Sequence, residues 1–177
     1  EQVASTNPFL AAGVDANASI GGGAIALSLA VDKGHTEIAQ MLLASGAAAN
    51  AEERDGRTAL VWAAERGDEE TVAALLDCGA EVNHVVRSNG ATALHVAVQE
   101  EHESIVSLLV ARGARVDLKT ASGNTPLHFA AQAGNANIAD ILLDCGADPA
   151  AANRARKTPR DIARERGHVA VARLMGG

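Results

Sequence analysis

Two short motifs recur along the whole chain at one fixed period. The first contains a glycine after an apolar pair and occurs as FLAAGVDAN, LLASGAAAN, LLDCGAEVN, LVARGARVD and LLDCGADPA. Its glycines (Gly13, Gly46, Gly79, Gly113 and Gly146) are spaced by 33, 33, 34 and 33 residues. The second motif, seen as TALVWA, TALHVA, TPLHFA and TPRDIA, recurs at the same spacing. Two motifs locked at one period predict a repeat protein, in which each unit stacks on its neighbours. The single spacing of 34 predicts one extra residue in the loop 84–91.

Each unit is predicted to form two short helices followed by a loop. In one unit the pattern predicts a first helix over 59–66 and a second over 69–77, whose apolar residues fall on one face. The motif glycine fits the position just after the second helix, where a left-handed backbone is needed. Turn pairs such as Asp55-Gly56 predict hairpin-like loops. A threonine stands where four of the first helices should begin: Thr58, Thr92, Thr125 and Thr158.

The composition favours closely packed helices. Only 2% of the residues are aromatic (Trp62, Phe9 and Phe129), while 47% of the chain is hydrophobic. The core must therefore consist of Ala, Leu, Val and Ile, which suits stacked helices better than a β-sandwich.

The period and the T-P-L-H-x-A signature resemble those of ankyrin repeats. The segment TPLHFAAQAGNANIADILLDCGAD (125–148) looks like a near-consensus repeat, and the resemblance covers roughly residues 9–175. It implies an all-α ankyrin-repeat solenoid of paired antiparallel short helices with hairpin-like loops. The predicted organisation is a degenerate N-terminal fragment (1–19), four full repeats (20–52, 53–86, 87–119 and 120–152) and a C-terminal capping repeat (153–177).

Several positions depart from the repeat pattern. The first full repeat has Ile25 in place of the capping threonine and Gly21-Gly22-Gly23 in its loop, so we expect it to be the least stable. Glu101 stands where other repeats have the glycine between the two helices, which predicts a positive φ at a non-glycine residue.

No catalytic, metal-binding or cofactor-binding pattern is found. His95 and His128 occupy the histidine of the signature, and the resemblance implies that they join the repeat loops by hydrogen bonds. Cys78 and Cys145 occupy equivalent positions and are interpreted as semi-buried helix ends rather than reactive thiols. Phosphate loops, nucleophile elbows and zinc motifs are absent from the sequence. We therefore predict a chain that is not an enzyme and that holds no cofactor.

Charge is distributed unevenly about a net value of −7. Residues 1–83 carry 13 acidic and 4 basic residues, whereas 84–177 carry 9 acidic and 11 basic ones. A basic cluster over 153–177 lacks nearby aromatic residues for base stacking, so nucleic-acid binding is not favoured. A solvated cap is the favoured interpretation, and docking of an acidic partner or a membrane surface stays open. Two cysteines and no membrane-spanning run predict an intracellular protein, cytoplasmic or nuclear.

The expected function is binding of a partner protein or an extended peptide, as a scaffold-type module that is monomeric in isolation. The alternative is a regulatory inhibitor or adaptor domain that occludes a partner's functional surface. By resemblance, the binding face consists of first helices and loop tips. We hypothesise a ligand of basic character anchored on Trp62 and Phe129; the alternative for Trp62 is that it packs between neighbouring repeats. The predicted contact residues on the helices are Trp62, Glu65, Arg66, Val96, Gln99, Glu100, Phe129 and Gln132. Those on the loop tips are Arg54, Asp55, Arg57, Asn89, Ser122 and Asn124.

Overall fold

Pairs of short helices follow one another along the computed structural model, which describes residues 16–17, 19–20 and 24–176. The first helices of the pairs are α1 (Ala26–Asp32), α3 (Ala59–Arg66), α5 (Ala93–Gln99), α7 (Pro126–Ala133) and α9 (Pro159–Glu165). The second helices are α2 (Thr36–Ala44), α4 (Glu69–Asp77), α6 (Glu103–Ala111), α8 (Ala136–Asp144) and α10 (Val169–Leu174). Two short strands, β1 (Ser19–Ile20) and β2 (Ala24–Ile25), pair antiparallel with Ser19 opposite Ile25. The predicted all-α repeat class is confirmed.

The sequence signals for helix ends act where they were expected. The helices predicted over 59–66 and 69–77 coincide with α3 and α4. Asp68 is the N-cap residue of α4, and its side chain accepts a hydrogen bond from the Thr71 backbone N–H at 3.0 Å. Gly79 follows α4 with φ of 83°, a left-handed conformation that a Cβ atom would disfavour.

The polar loops have the hydrogen bonds of tight hairpin turns. Four backbone N–H groups each close a loop onto a carbonyl further along: Glu53 to Arg57 at 2.8 Å, Val86 to Ala91 at 2.8 Å, Thr120 to Asn124 at 2.9 Å and Asn153 to Lys157 at 3.0 Å. The loop closed by Val86 contains one residue more than the others. This confirms that the inserted residue lies within 84–91.

The chain divides into two compact units, Glu1–Ala80 and Glu81–Gly177. In the first unit α1 packs against α2 and α3, and α4 packs against α2 and α3. Alanine is frequent in the buried face of α3, where Ala59, Ala63 and Ala64 are at most 1% exposed. Small side chains at these positions allow neighbouring helices to approach closely, while Leu60 and Leu75 fill the remaining core space.

The second unit repeats this packing over three helix pairs. The first helices α5, α7 and α9 pack in a row, and the second helices α6, α8 and α10 do the same. Each pair also packs internally.

Asparagines that follow the motif glycine connect consecutive repeats within each unit. Asn50 Nδ2 donates to the Gly79 carbonyl at 2.9 Å in the first unit, and Asn83 Nδ2 donates to the Gly113 carbonyl at 3.0 Å in the second. The Asn83 Oδ1 also accepts from the Arg115 N–H at 2.8 Å. These bonds satisfy backbone groups that the end of the second helix leaves unpaired.

His95 and His128 make the hydrogen bonds that the family resemblance implied. The Thr92 and Thr125 N–H groups donate to Nδ1 of His95 and His128 at 3.2 and 3.1 Å. Because a backbone N–H only donates, Nδ1 must be unprotonated and Nε2 carries the hydrogen. The Nε2 atoms lie 3.2 Å from the Asn124 carbonyl and 3.1 Å from the Lys157 carbonyl. Each ring therefore joins the start of its own helix to the next loop.

One of the predicted departures is confirmed by the backbone, and one expectation is wrong. Glu101 has φ of 59°, which confirms the predicted left-handed residue. Arg156 also has φ of 60°, which was not predicted. Cys78 and Cys145 are free and exposed rather than semi-buried. Each is the C-cap residue that directly follows α4 or α8, where the helix ends. The predicted N-terminal fragment and Gly21-Gly22-Gly23 lie almost wholly outside the described residues.

Candidate protein interface

Trp62 lies on the first helix of its repeat, on the side next to the preceding loop. The ring is half-buried, between the fully buried residues of α3 and solvent. Its Nε1 donates to Glu53 Oε2 at 3.3 Å. The indole is thus held against the hairpin 53–57, and one part of it stays accessible.

Arg57 connects this loop to the helix. Its guanidinium lies over the Trp62 ring, with Cζ 4.3 Å from the ring centroid. The Nη1 atom donates to Glu65 Oε2 at 2.7 Å, one turn further along α3. On the loop side, Asp55 Oδ1 accepts from the Arg57 backbone N–H at 3.0 Å. We name Glu53, Asp55, Arg57, Trp62 and Glu65 the Trp62 cluster.

The sequence predicted four members of this cluster and missed one. Trp62 and Glu65 share a helical stripe because they are three residues apart, and the hairpin brings Asp55 and Arg57 to the same stripe. Glu53 was not predicted, since only its 3.3 Å contact with the indole N–H distinguishes it from other surface acids. The feature of the sequence that could have pointed to Glu53 is its position at the start of the hairpin.

Two further predicted residues of the first unit lie apart from the cluster. Arg66 Nη1 donates to the Asp32 carbonyl at 2.8 Å, and the guanidinium packs where a Cβ atom on Gly34 would lie. This side chain therefore connects α3 to the end of α1. Arg54 is exposed at the tip of the loop.

The corresponding helix surface of the second unit is apolar at its centre and polar at its edge. Phe129 is half-buried, and its ring meets His95 edge-on at 84° with centroids 5.8 Å apart. Val96 is half-buried one repeat earlier. At the helix ends, Gln99 Nε2 donates to Glu100 Oε1 at 3.1 Å, and Gln132 is exposed.

The predicted loop residues of the second unit form hydrogen bonds with the loop of the next repeat. The Asn89 carbonyl accepts from the Ala121 N–H at 2.8 Å, and the Ser122 carbonyl accepts from the Arg154 N–H at 3.0 Å. Asn124 Oδ1 accepts from Asn153 Nδ2 at 2.8 Å. Exposed side chains on these tips are therefore carried by a backbone that is fixed from repeat to repeat.

The buried histidines are unsuited to proton transfer near neutral pH. Burial lowers the pKa of His95 to about 4, and burial also lowers the pKa of His128. In both rings, the two nitrogen atoms form hydrogen bonds with backbone groups of the repeats. Among the residues that the structure describes, no group of three His, Cys, Asp or Glu side chains is arranged to hold a metal ion.

Comparison with known families agrees with this architecture. A family model described as ankyrin repeats (3 copies) matches residues 4–86, 83–153 and 99–175. The chain belongs to the ankyrin repeat family, whose members are generally protein–protein interaction modules and typically non-catalytic. No curated protein matches the chain significantly. In the described part of the chain, no helix is both long and apolar enough to cross a membrane.

Proposed function

We propose that this chain is a non-catalytic protein-binding module whose main contact surface in the first unit is the Trp62 cluster. The observation that carries the proposal is the placement of the one tryptophan of the chain. It stands half-exposed on a first helix, although the core formed by the described residues contains no Phe, Tyr or Trp side chain. Tryptophan is among the residue types most enriched at the centres of protein interfaces.

The contacts of Trp62 favour binding because they fix the ring before a partner arrives. The ring has Arg57 over its face and Glu53 at its Nε1 atom. A side chain that is already held loses little rotamer freedom on association, so more of the contact free energy remains as affinity. Leu29, at the equivalent position of the preceding repeat, is also exposed, at 37%.

The charges around Trp62 favour a basic ligand. Glu53 contacts the ring, Asp55 and Glu65 bind Arg57, and Arg57 is the one cation in the cluster. The chain from 1 to 83 carries 13 acidic and 4 basic residues, a net charge of 4 − 13 = −9. A Lys- or Arg-rich extended peptide or helix would be attracted by this field and would pair with the carboxylates.

In the second unit we propose a contact surface made of Val96 and Phe129 with the exposed loop tips beside them. The half-buried apolar residues supply area, and Asn89, Ser122 and Asn124 supply hydrogen-bonding groups on a fixed backbone. Trp62 belongs to the first unit and Phe129 to the second, so a single ligand anchored on both residues stays a prediction.

We infer that the module works as a monomer in an intracellular compartment, cytoplasmic or nuclear, where thiols stay reduced. The support is that Cys78 and Cys145 are both exposed and free. Exposed thiols oxidise or cross-link in an oxidising compartment, which disfavours a secreted role.

Parallel capture tests the proposed function. The purified chain and its Trp62→Ala variant are immobilised separately, exposed to extract of the source cells, and the retained proteins are quantified by mass spectrometry. We expect at least one protein to be retained by the parent chain and depleted on the variant. Identical retained sets would contradict the assignment of Trp62. An activity assay of the captured partner then distinguishes a scaffold from an inhibitor.

A further inference from the structure

A cavity of about 340 Å³ lies in the C-terminal helix pair and is lined by three arginines. Arg160 and Arg164 come from α9, four residues apart and thus on one face, and Arg173 comes from α10. Val169 and Ala172 form an apolar wall, and Gly176 lies at the edge. We name these six residues the arginine pocket.

One neighbouring acid, Asp161, partly offsets the positive charge of this pocket: its pKa is lowered first by hydrogen bonds from Thr158 and also by the charges of Arg164 and Arg160. Asp161 is occupied at the start of α9, where it accepts from the Thr158 N–H at 2.9 Å and from the Thr158 hydroxyl at 2.8 Å. Glu165 binds Lys157 Nζ at 2.6 Å. Within the described residues, none of the three pocket arginines forms an ion pair with a carboxylate.

The Arg160 guanidinium packs closely against the backbone, and one of its nitrogen donors makes no hydrogen bond within the described residues. A Cβ atom on Gly176 would clash with Arg160 Cζ, so the backbone at Gly176 lies directly on the guanidinium. The Arg160 Nε atom is buried and has no hydrogen-bond partner among the residues that the structure describes. The three guanidinium groups line one cavity, so an anion bound there would offset the repulsion between their like charges.

We propose that the arginine pocket binds a small polyanion that carries phosphate groups. Arginine offers a planar fork of N–H donors that matches phosphate oxygens in pairs. Three guanidinium groups suit a ligand with more than one negative charge. The cavity volume falls at the small end of the range for ligand pockets, which is about 300–1,000 Å³, and so fits a compact molecule rather than a polymer.

The arginine pocket shares no residue with the Trp62 cluster or with the proposed surface of Val96 and Phe129. The arginine pocket belongs to the last helix pair of the second unit, whereas the Trp62 cluster belongs to the first unit. The two proposals can therefore fail independently. Binding at the arginine pocket also gives the basic residues of 153–177 a role that a solvated cap does not require.

Calorimetric titration with inorganic pyrophosphate, at fixed ionic strength near neutral pH, tests the proposal. We expect saturable binding with one site per chain. Arg164→Gln and Arg173→Gln should each weaken it about ten-fold or more, since each removes a charge-assisted hydrogen bond. Both side chains are exposed, so circular dichroism should show an unchanged fold.

Arg166→Gln is the matched control, because Arg166 is exposed at the end of α9 but does not line the cavity. Its affinity should stay within about two-fold of the parent chain, as expected for a distant surface charge. No measurable heat, or equal loss in all three variants, would overturn the proposal, since either result describes a diffuse basic surface. Tighter binding of citrate than of pyrophosphate would overturn the assignment to phosphate.

Discussion

The guanidinium of Arg57 lies over the indole of Trp62, with Cζ 4.3 Å from the ring centroid. The same guanidinium donates to Glu65 at 2.7 Å. This one side chain therefore covers part of the tryptophan and connects the loop 53–57 to α3. Because Trp62 is the only tryptophan in the chain, tryptophan fluorescence reports the surroundings of this one ring.

Arg57→Gln should uncover the Trp62 ring. We expect a larger Stern–Volmer constant for acrylamide quenching and a loss of about 0.5–1 kcal/mol in the free energy of unfolding, the usual range for an exposed cation–π contact. Arg54→Gln is the matched control, because Arg54 lies on the same loop and makes no contact with the indole. Equal quenching in the two variants would mean that Arg57 does not cover the ring in solution.

The buried His95 should make the domain sensitive to mild acid. Its folded-state pKa is about 4, below the unfolded value of 6.5, so between these values the unfolded chain binds a proton that the folded chain excludes. The contribution of His95 is thus complete above pH 6.5 and is lost as the pH falls toward 4. Linkage gives a loss of about 3 kcal/mol for a shift of this size.

Urea unfolding at several pH values measures this effect. In His95→Gln the fall in unfolding free energy between neutral pH and pH 4.5 should be smaller than in the parent chain. His35→Gln is the matched control, because it makes the same substitution at a histidine that is exposed rather than buried. A slope in His95→Gln equal to that of the parent would show that His95 does not titrate as its burial requires. His128, also buried, should retain part of the slope.

Glu101→Gly should stabilise the domain. Glu101 has φ of 59° between α5 and α6, a conformation that costs a residue with a Cβ atom roughly 1–2 kcal/mol. The variant loses the bond from Asn135 Nδ2 to Glu101 Oε2, an exposed contact at 3.1 Å. We therefore expect a net gain of about 0.5–1 kcal/mol, after allowance for the greater freedom of glycine in the unfolded chain.

The reverse substitution tests the same geometry from the other side. Gly134 occupies the equivalent position with φ of 82°, and a Cβ atom there would lie 2.5 Å from His168 Nδ1. Gly134→Ala should destabilise the domain by more than Glu101→Gly stabilises it, because strain and a clash add. If thermal unfolding moved in the same direction for both variants, the backbone explanation would be wrong.

Periodicity was sufficient to predict the helices because each unit repeats one set of constraints. The bounds of α3 and α4 followed from Thr58, which stands at the N-cap position of α3 without a side-chain cap bond, and from Gly67 and Gly79, which follow the two helices with positive φ. The roles of His95 and His128 came from the family resemblance. Their hydrogen bonds are fixed by the fold and so are shared by equivalent positions.

Features of individual repeats were harder to predict. Arg156 adopts a positive φ because its loop closes from Asn153 to Lys157 in the same way as the glycine-containing loops, and that closure overrides the residue's own preference. The contact of Glu53 with Trp62 and the cavity beneath Arg164 and Arg173 depend on side-chain directions. A one-dimensional pattern does not carry that information.

The affinity of a captured partner for three forms of this chain tests the central account most directly. The parent chain, Trp62→Ala and Ile38→Ala are titrated with the partner by isothermal calorimetry, after circular dichroism has confirmed that each is folded. Ile38 is a suitable control because it is an apolar residue 41% exposed on a second helix, away from the Trp62 cluster. We predict that Trp62→Ala weakens binding by about 2 kcal/mol or more, the range of an interface hot spot, and that Ile38→Ala leaves affinity unchanged. Equal affinity of a folded Trp62→Ala variant and the parent chain would contradict the account.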